Sequence, residues 1–114
     1  MKIGIEILDI KGNFVKTHYI IIDQTWDLRR VHEGVIYYHP ISGIGNDQIR
    51  LLSSSNSVGK HNHLKPYLKI EKYDPIENKG NISMDYLGNR VTQEGAERYF
   101  LTHFNITSIS HELP

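Results

Sequence analysis

Apolar and polar residues alternate along the start of the chain, which is the pattern of a β-strand with one buried face. Within residues 2–10, isoleucine occupies every second position from Ile3 to Ile7. A Lys-Gly-Asn turn at residues 11–13 separates this segment from a second alternating one at residues 14–22. The two segments therefore predict an N-terminal β-hairpin.

The second strand of this hairpin has two chemically different faces. Val15, Tyr19 and Ile21 share one face, and Lys16 lies on the other. The strand ends in an apolar run at residues 20–22, which predicts that both of its faces are covered there.

Further β-patterned segments follow at residues 35–38, 48–52, 67–73 and 82–87. The third of them alternates most regularly, with Leu68 and Ile70 predicted to face the core. Its other side chains, which are predicted to face solvent, are Tyr67, Lys69, Glu71 and Tyr73.

The pattern changes to a helical one at residues 92–104. Thr92 is a good N-cap, and the positions that recur every four residues on one face are Ala96, Phe100 and Phe104. A second, short helix is predicted near residues 25–33, with Thr25 as its cap and Gly34 after its end.

Length and composition favour one β-rich domain spanning residues 1–114. Isoleucine and valine together number 21, whereas alanine occurs once, and β-branched residues fit a half-buried sheet. The expected fold class is α+β, an antiparallel sheet of about five or six strands with the C-terminal helix packed across it. A half-open barrel is the alternative.

Charge and cysteine content bound the function only broadly. Lys plus Arg and Asp plus Glu number 13 each, so net charge does not steer the chain toward nucleic acid or membranes. With no cysteine the chain has no disulfide, which fits the cytoplasm. The sequence shows no export signal, and its longest apolar run is far shorter than a membrane helix.

Two clusters are candidates for binding a partner. Arginine forks and tryptophan are enriched in binding sites, and a basic, aromatic segment lies at residues 60–73. The candidate residues are Trp26, Arg29, Arg30, Lys60, His61, His63, Lys65, Tyr67, Lys69 and Tyr73. The ordinary alternatives are a core tryptophan with solvated arginines, and an edge strand protected by lysines.

The polar segment at residues 53–66 is longer than most connections inside a compact domain. Its end contains a dense cluster of basic and titratable side chains, among them His61 and His63. We expect this segment to be mobile and to order on binding an anionic partner, more strongly as pH falls toward 6. An idle surface loop is the alternative.

No motif identifies a catalytic nucleophile or acid pair, and the sequence predicts neither a cofactor nor a metal site. The first hypothesis is therefore a non-catalytic interaction protein, an accessory subunit or inhibitor of a protein partner, of the kind that phages or mobile elements encode. The second is single-stranded nucleic-acid binding by residues 60–73. The third is a small hydrolase that depends on His39, or on His61 and His63 with a metal ion.

Overall fold

The structure, a computed structural model, describes residues 1–38, 48–52, 66–73 and 81–111. These residues form an α+β fold with one antiparallel sheet and one helix, as the sequence predicts. The strands are β1 (Lys2–Leu8), β2 (Phe14–Ile21), β3 (Asp27–Val31), β4 (Gly34–Tyr38), β5 (Gln48–Leu52), β6 (Tyr67–Tyr73), β7 (Asn81–Met84) and β8 (Phe104–Ser110). The helix, α1, spans Gly95–Thr102.

The strand order is β2-β1-β8-β6-β5-β4-β3, and β7 also pairs with β6. The last strand, β8, thus lies in the middle of the sheet between β1 and β6. The ends of this order, β2 and β3, are not paired with each other, so the described strands form an open sheet instead of the half-open barrel.

Strands β7 and β8 both pair with the same edge of β6. The sheet thus has two halves, one of β1, β2 and β8 and the other of β3 to β7. Residues 67–68 of β6 pair with β8, and residues 70–73 pair with β7. Apolar side chains from both halves form a common core, whose buried members are Ile3, Ile5, Ile7, Ile22, Ile49, Leu68 and Phe104. This core confirms the predicted alternation of β1. It also confirms that Leu68 and Ile70 of β6 face inward, since Leu68 is buried and Ile70 packs against the core.

The short helix expected near residues 25–33 is wrong, because this segment forms the hairpin of β3 and β4. Thr25 does not cap a helix. Its backbone N–H donates to the Asp23 side chain at 3.0 Å, and the Trp26 N–H donates to the Asp23 carbonyl at 3.2 Å. This turn directs the chain into β3, whose pairing along β4 outweighs the weak local helix preference.

The C-terminal helix is confirmed but is shorter than residues 92–104. It begins at Gly95, after Glu94, and Thr92 does not cap it. It ends at Thr102, and Phe104 is the first residue of β8. Gly95 has a φ of +64°, which favours glycine, so the backbone turns sharply there and the helix cannot start earlier.

One five-residue turn occurs twice, as Asp-Ile-Lys-Gly-Asn at residues 9–13 and Asp-Tyr-Leu-Gly-Asn at residues 85–89. In both, the aspartate Oδ1 accepts two backbone N–H groups at 2.8–3.0 Å, and the glycine N–H donates to the aspartate carbonyl at 3.0 Å. Gly12 and Gly88 have φ values of 85° and 79°. The spacing Asp-x-x-Gly-Asn therefore encodes this turn.

These two glycines provide a matched test of turn strain and packing. We expect Gly88→Ala to destabilise the fold by about 1–2 kcal/mol, because alanine disfavours positive φ. Gly12→Ala should destabilise it more, since its Cβ would lie 2.9 Å from the Phe100 ring, whereas the nearest atom at Gly88 is the flexible Lys72 amine at 3.5 Å. Urea unfolding of both variants measures the difference, and equal losses would contradict the packing of Phe100 on the first turn.

Candidate functional site

The edge strand β2 has the largest group of exposed apolar side chains among the described residues. Phe14 is 61% exposed, Val15 and Ile21 are each 57% exposed, and Tyr19 is 53% exposed. Tyr19 and Ile21 are exposed at alternate positions, as predicted for that face, whereas Val15 lies at a bulge where the register between β1 and β2 shifts. The predicted cover on both faces at residues 20–22 is wrong at Ile21. Apolar groups exposed side by side are typical of an interaction surface.

The backbone of β2 also has a free edge. Met1 and Ile22 exchange two backbone hydrogen bonds of 2.9 Å, which marks them as a hydrogen-bonded pair of the antiparallel ladder. Because such pairs alternate along the ladder, Thr17, Tyr19 and Ile21 direct their N–H and C=O groups away from β1. In the described part of the chain, no other strand pairs with β2.

Contacts on both faces hold β2 in place. On the inner face, the His18 ring meets the Tyr86 ring edge-on at 5.0 Å between centroids, and the Lys16 amine lies 4.9 Å from the same ring. On the outer face, Tyr19 lies so close to Gly4 that a Cβ there would be 3.2 Å from its ring. The Lys2 amine lies 4.5 Å from the Tyr19 centroid. The exposed strand is thus anchored before any partner binds.

The opposite edge strand, β3, has a different surface. Three of its five residues are charged, and Leu28 is its one large exposed apolar side chain. Charges of both signs on an edge strand oppose pairing with other chains. The two ends of the strand order therefore differ, and of these β2 is the one suited to association.

The structure gives the three residues of the first sequence-predicted cluster different surroundings. Trp26 is half-buried and packs against the core. Arg29 and Arg30 are exposed on β3, on opposite faces because they are adjacent in a strand. The reading of a core tryptophan with solvated arginines describes this region better.

The described part of the second cluster, residues 67–73, forms the central strand β6, so the alternative of a protected edge strand is wrong for these residues. The prediction that Glu71 faces solvent is also wrong, since it is 3% exposed. Its Oε1 accepts a hydrogen bond from the Gln48 amide at 2.6 Å and lies 3.6 Å from Arg50 Nε. Its Oε2 lies 3.7 Å from the Lys69 amine.

Next to this buried carboxylate, three rings stack. His103 lies 4.3 Å from Tyr99 and 5.5 Å from Tyr67 between centroids, at interplanar angles of 22° and 28°. Burial raises the pKa of both tyrosines, and the carboxylate of Glu33 adds to the rise at Tyr67. Tyr67 is half-buried and the Lys69 side chain is 19% exposed, so the structure adds no support for nucleic-acid binding along an open face of β6.

Sequence reasoning missed Arg50, Arg98 and His103, the cations and ring that surround Lys69 and Tyr67. Their positions depend on which strands pack against the helix. The spacing of residues along the sequence does not predict this packing. Alternation along residues 48–52 predicts that Gln48 and Arg50 share one face. It does not predict that Gln48 lies opposite Glu71, which is the pairing in the structure.

Several predictions fall outside the described residues. They concern Lys60, His61, His63 and Lys65, the mobile segment apart from Pro66, and His39. The side chain of Tyr73 is also outside. Within the described ranges, no group of three His, Asp or Glu side chains could hold a metal ion, and no helix is long and apolar enough to cross a membrane.

No protein-family model, curated protein or solved structure matches this chain.

Proposed function

We propose that this protein is a non-catalytic binding protein that takes up an extended segment of a partner polypeptide along the free edge of β2. The observation that carries the proposal is that outward backbone groups and exposed apolar side chains coincide on this one strand. Strand addition uses both features, since main-chain hydrogen bonds supply affinity and alternate side chains supply specificity.

The outer face of β2 indicates the chemistry of the partner. A strand added there would pair with the backbone of Thr17, Tyr19 and Ile21 and lay every second side chain beside Tyr19 and Ile21. Those partner side chains should be β-branched or aromatic, because such pairs stabilise neighbouring strands. An accessory subunit and an inhibitor could both work through this contact.

A randomised library of ten-residue peptides, displayed and selected against the purified protein, tests this function. We expect enriched peptides to alternate apolar and polar residues. Tyr19→Lys should weaken their binding about tenfold or more, because covering one such side chain contributes roughly 1.5–3 kcal/mol. Thr17→Pro, which removes an outward N–H, should also weaken it.

Leu28→Lys is the matched control, since it places the same charge on an exposed apolar residue of the other edge. It should leave peptide binding unchanged. If β2 instead pairs with a second copy of the chain, sedimentation velocity will show a dimer that Tyr19→Lys dissociates. A monomer that enriches no peptide, or binding that survives both β2 substitutions, would contradict the proposal.

A further inference from the structure

A cleft of about 230 Å³ lies between α1 and the strands β6 and β7, away from the edge of β2. Its wall combines basic, hydroxyl and aromatic side chains with the first residue of the helix. The lining residues are Lys69, Ser83, Gly95, Arg98, Tyr99, Thr102 and His103. The cleft is small and most of its lining residues have polar or charged groups, so it suits one compact charged group better than a polymer.

The described side chains that line this cleft include two cations and no carboxylate. Lys69 and Arg98 line it, and Arg50 lies behind Lys69 on the neighbouring strand. Among the described residues, Glu71 is the carboxylate that forms ion pairs with both Lys69 and Arg50. Arg98 uses Nη1 to donate to the Val91 carbonyl at 3.1 Å, which is a neutral partner. The Glu71 carboxylate is thus shared by two cations, and Arg98 adds a third positive charge beside the cleft.

This charge is also partly removed from water. The Lys69 side chain is 19% exposed. Burial lowers the pKa of Lys69, and the nearby Glu71 carboxylate opposes this effect. Partly buried positive charge without an equal counter-charge favours an anionic ligand.

Hydrogen bonds fix the remaining groups of the wall. The Thr102 hydroxyl donates to the Arg98 carbonyl at 2.8 Å, so at 3.0 Å it accepts from His103 Nδ1. The stacking of His103 on Tyr99 holds the same ring in a second direction. The wall is therefore ordered before a ligand enters, which reduces the entropy lost on binding.

We propose that this cleft binds the phosphate group of a small molecule. A phosphate has several acceptor oxygens and up to two negative charges, which match an ammonium, a guanidinium and the hydroxyl of Ser83 arranged around one space. A single carboxylate would use fewer of these donors. The proposal does not depend on the binding edge at β2, since the two sites share no residue.

Amide NMR spectra of the ¹⁵N-labelled protein, titrated with sodium phosphate and separately with glycerol 3-phosphate, test the site. Sodium chloride at equal ionic strength is the reference. We expect saturable shifts at Gly95, Tyr99 and their neighbours with both phosphates and none with chloride. Tighter binding of glycerol 3-phosphate would identify a phosphate ester as the ligand, whereas equal affinity would identify the phosphate group alone. Absence of saturation, or the same shifts with chloride, would overturn the proposal.

Arg98→Gln should weaken phosphate binding about tenfold or more, because it removes a charge-assisted hydrogen bond. Arg98→Lys should retain part of the affinity, which separates loss of charge from loss of structure. Ser83→Ala provides a second test that leaves both cations in place, with a smaller expected loss. Arg29→Gln, on exposed β3, is the control and should bind phosphate normally. Unchanged affinity in a folded Arg98→Gln protein would exclude this cleft as the site.

Discussion

Glu71→Ala is expected to destabilise the fold by about 3 kcal/mol, the lower part of the range for breaking a buried ion pair. The substitution leaves Arg50 and Lys69 without their shared carboxylate and the Gln48 amide without its acceptor. The lower part applies because Arg50 is one-third exposed and can turn toward water. Urea unfolding measures this loss, provided that the dependence of the unfolding free energy on urea concentration is the same in both proteins.

Glu97→Ala is the control for Glu71→Ala. Glu97 is an exposed glutamate in the first turn of α1, so its removal should change stability by about 0.5 kcal/mol or less. Combining Glu71→Ala with Lys69→Met should recover part of the lost stability, because it removes one uncompensated charge. If Glu71→Ala lowers the free energy of unfolding no more than Glu97→Ala does, the Glu71 carboxylate does not hold β5 and β6 together.

Phe104→Ala is expected to have the largest effect, a loss of about 3–5 kcal/mol, which is the range for truncating a buried aromatic side chain. Phe104 is 1% exposed and belongs to the core that both halves of the sheet share. It is also the first residue of the central strand β8, which pairs with β1 on one side and β6 on the other. A cavity there therefore weakens the packing that joins the two halves of the sheet. Thermal unfolding followed by circular dichroism gives this loss.

Phe14→Ala is the matched control, because it removes the same side chain from an exposed position of β2. Its effect on stability should be within about 0.5 kcal/mol. Similar losses for Phe14→Ala and Phe104→Ala would mean that the core does not depend on Phe104.

The candidate edge at β2 could be predicted in part. Alternation predicts that Val15, Tyr19 and Ile21 share one face, which agrees with the exposure of Tyr19 and Ile21 but does not report the bulge at Val15. It does not report that β2 is an edge, and the apolar run at its end suggested cover on both faces. Whether an apolar face is covered depends on which strands pair beside it, and those strands are distant in the sequence.

The cleft could not be predicted from the pattern of the chain. The sequence identifies Lys69 as a candidate only through its basic and aromatic neighbours along one strand. The structure instead surrounds it with Arg50 from β5, Glu71 from β6 and Arg98 from α1. Each of these residues occupies an ordinary position in its own element, so only their meeting in space gives the site its charge.

The sequence by itself determined the features that depend on near neighbours. These are the alternation of β1 and β6, the glycine turns and the existence of a C-terminal helix, since periodicity and backbone preference act within a few residues. The tertiary structure decided that residues 27–31 pair as a strand, that β8 enters the middle of the sheet and that Glu71 is buried. These outcomes depend on pairing between distant segments, whose hydrogen bonds and shared core outweigh local preference.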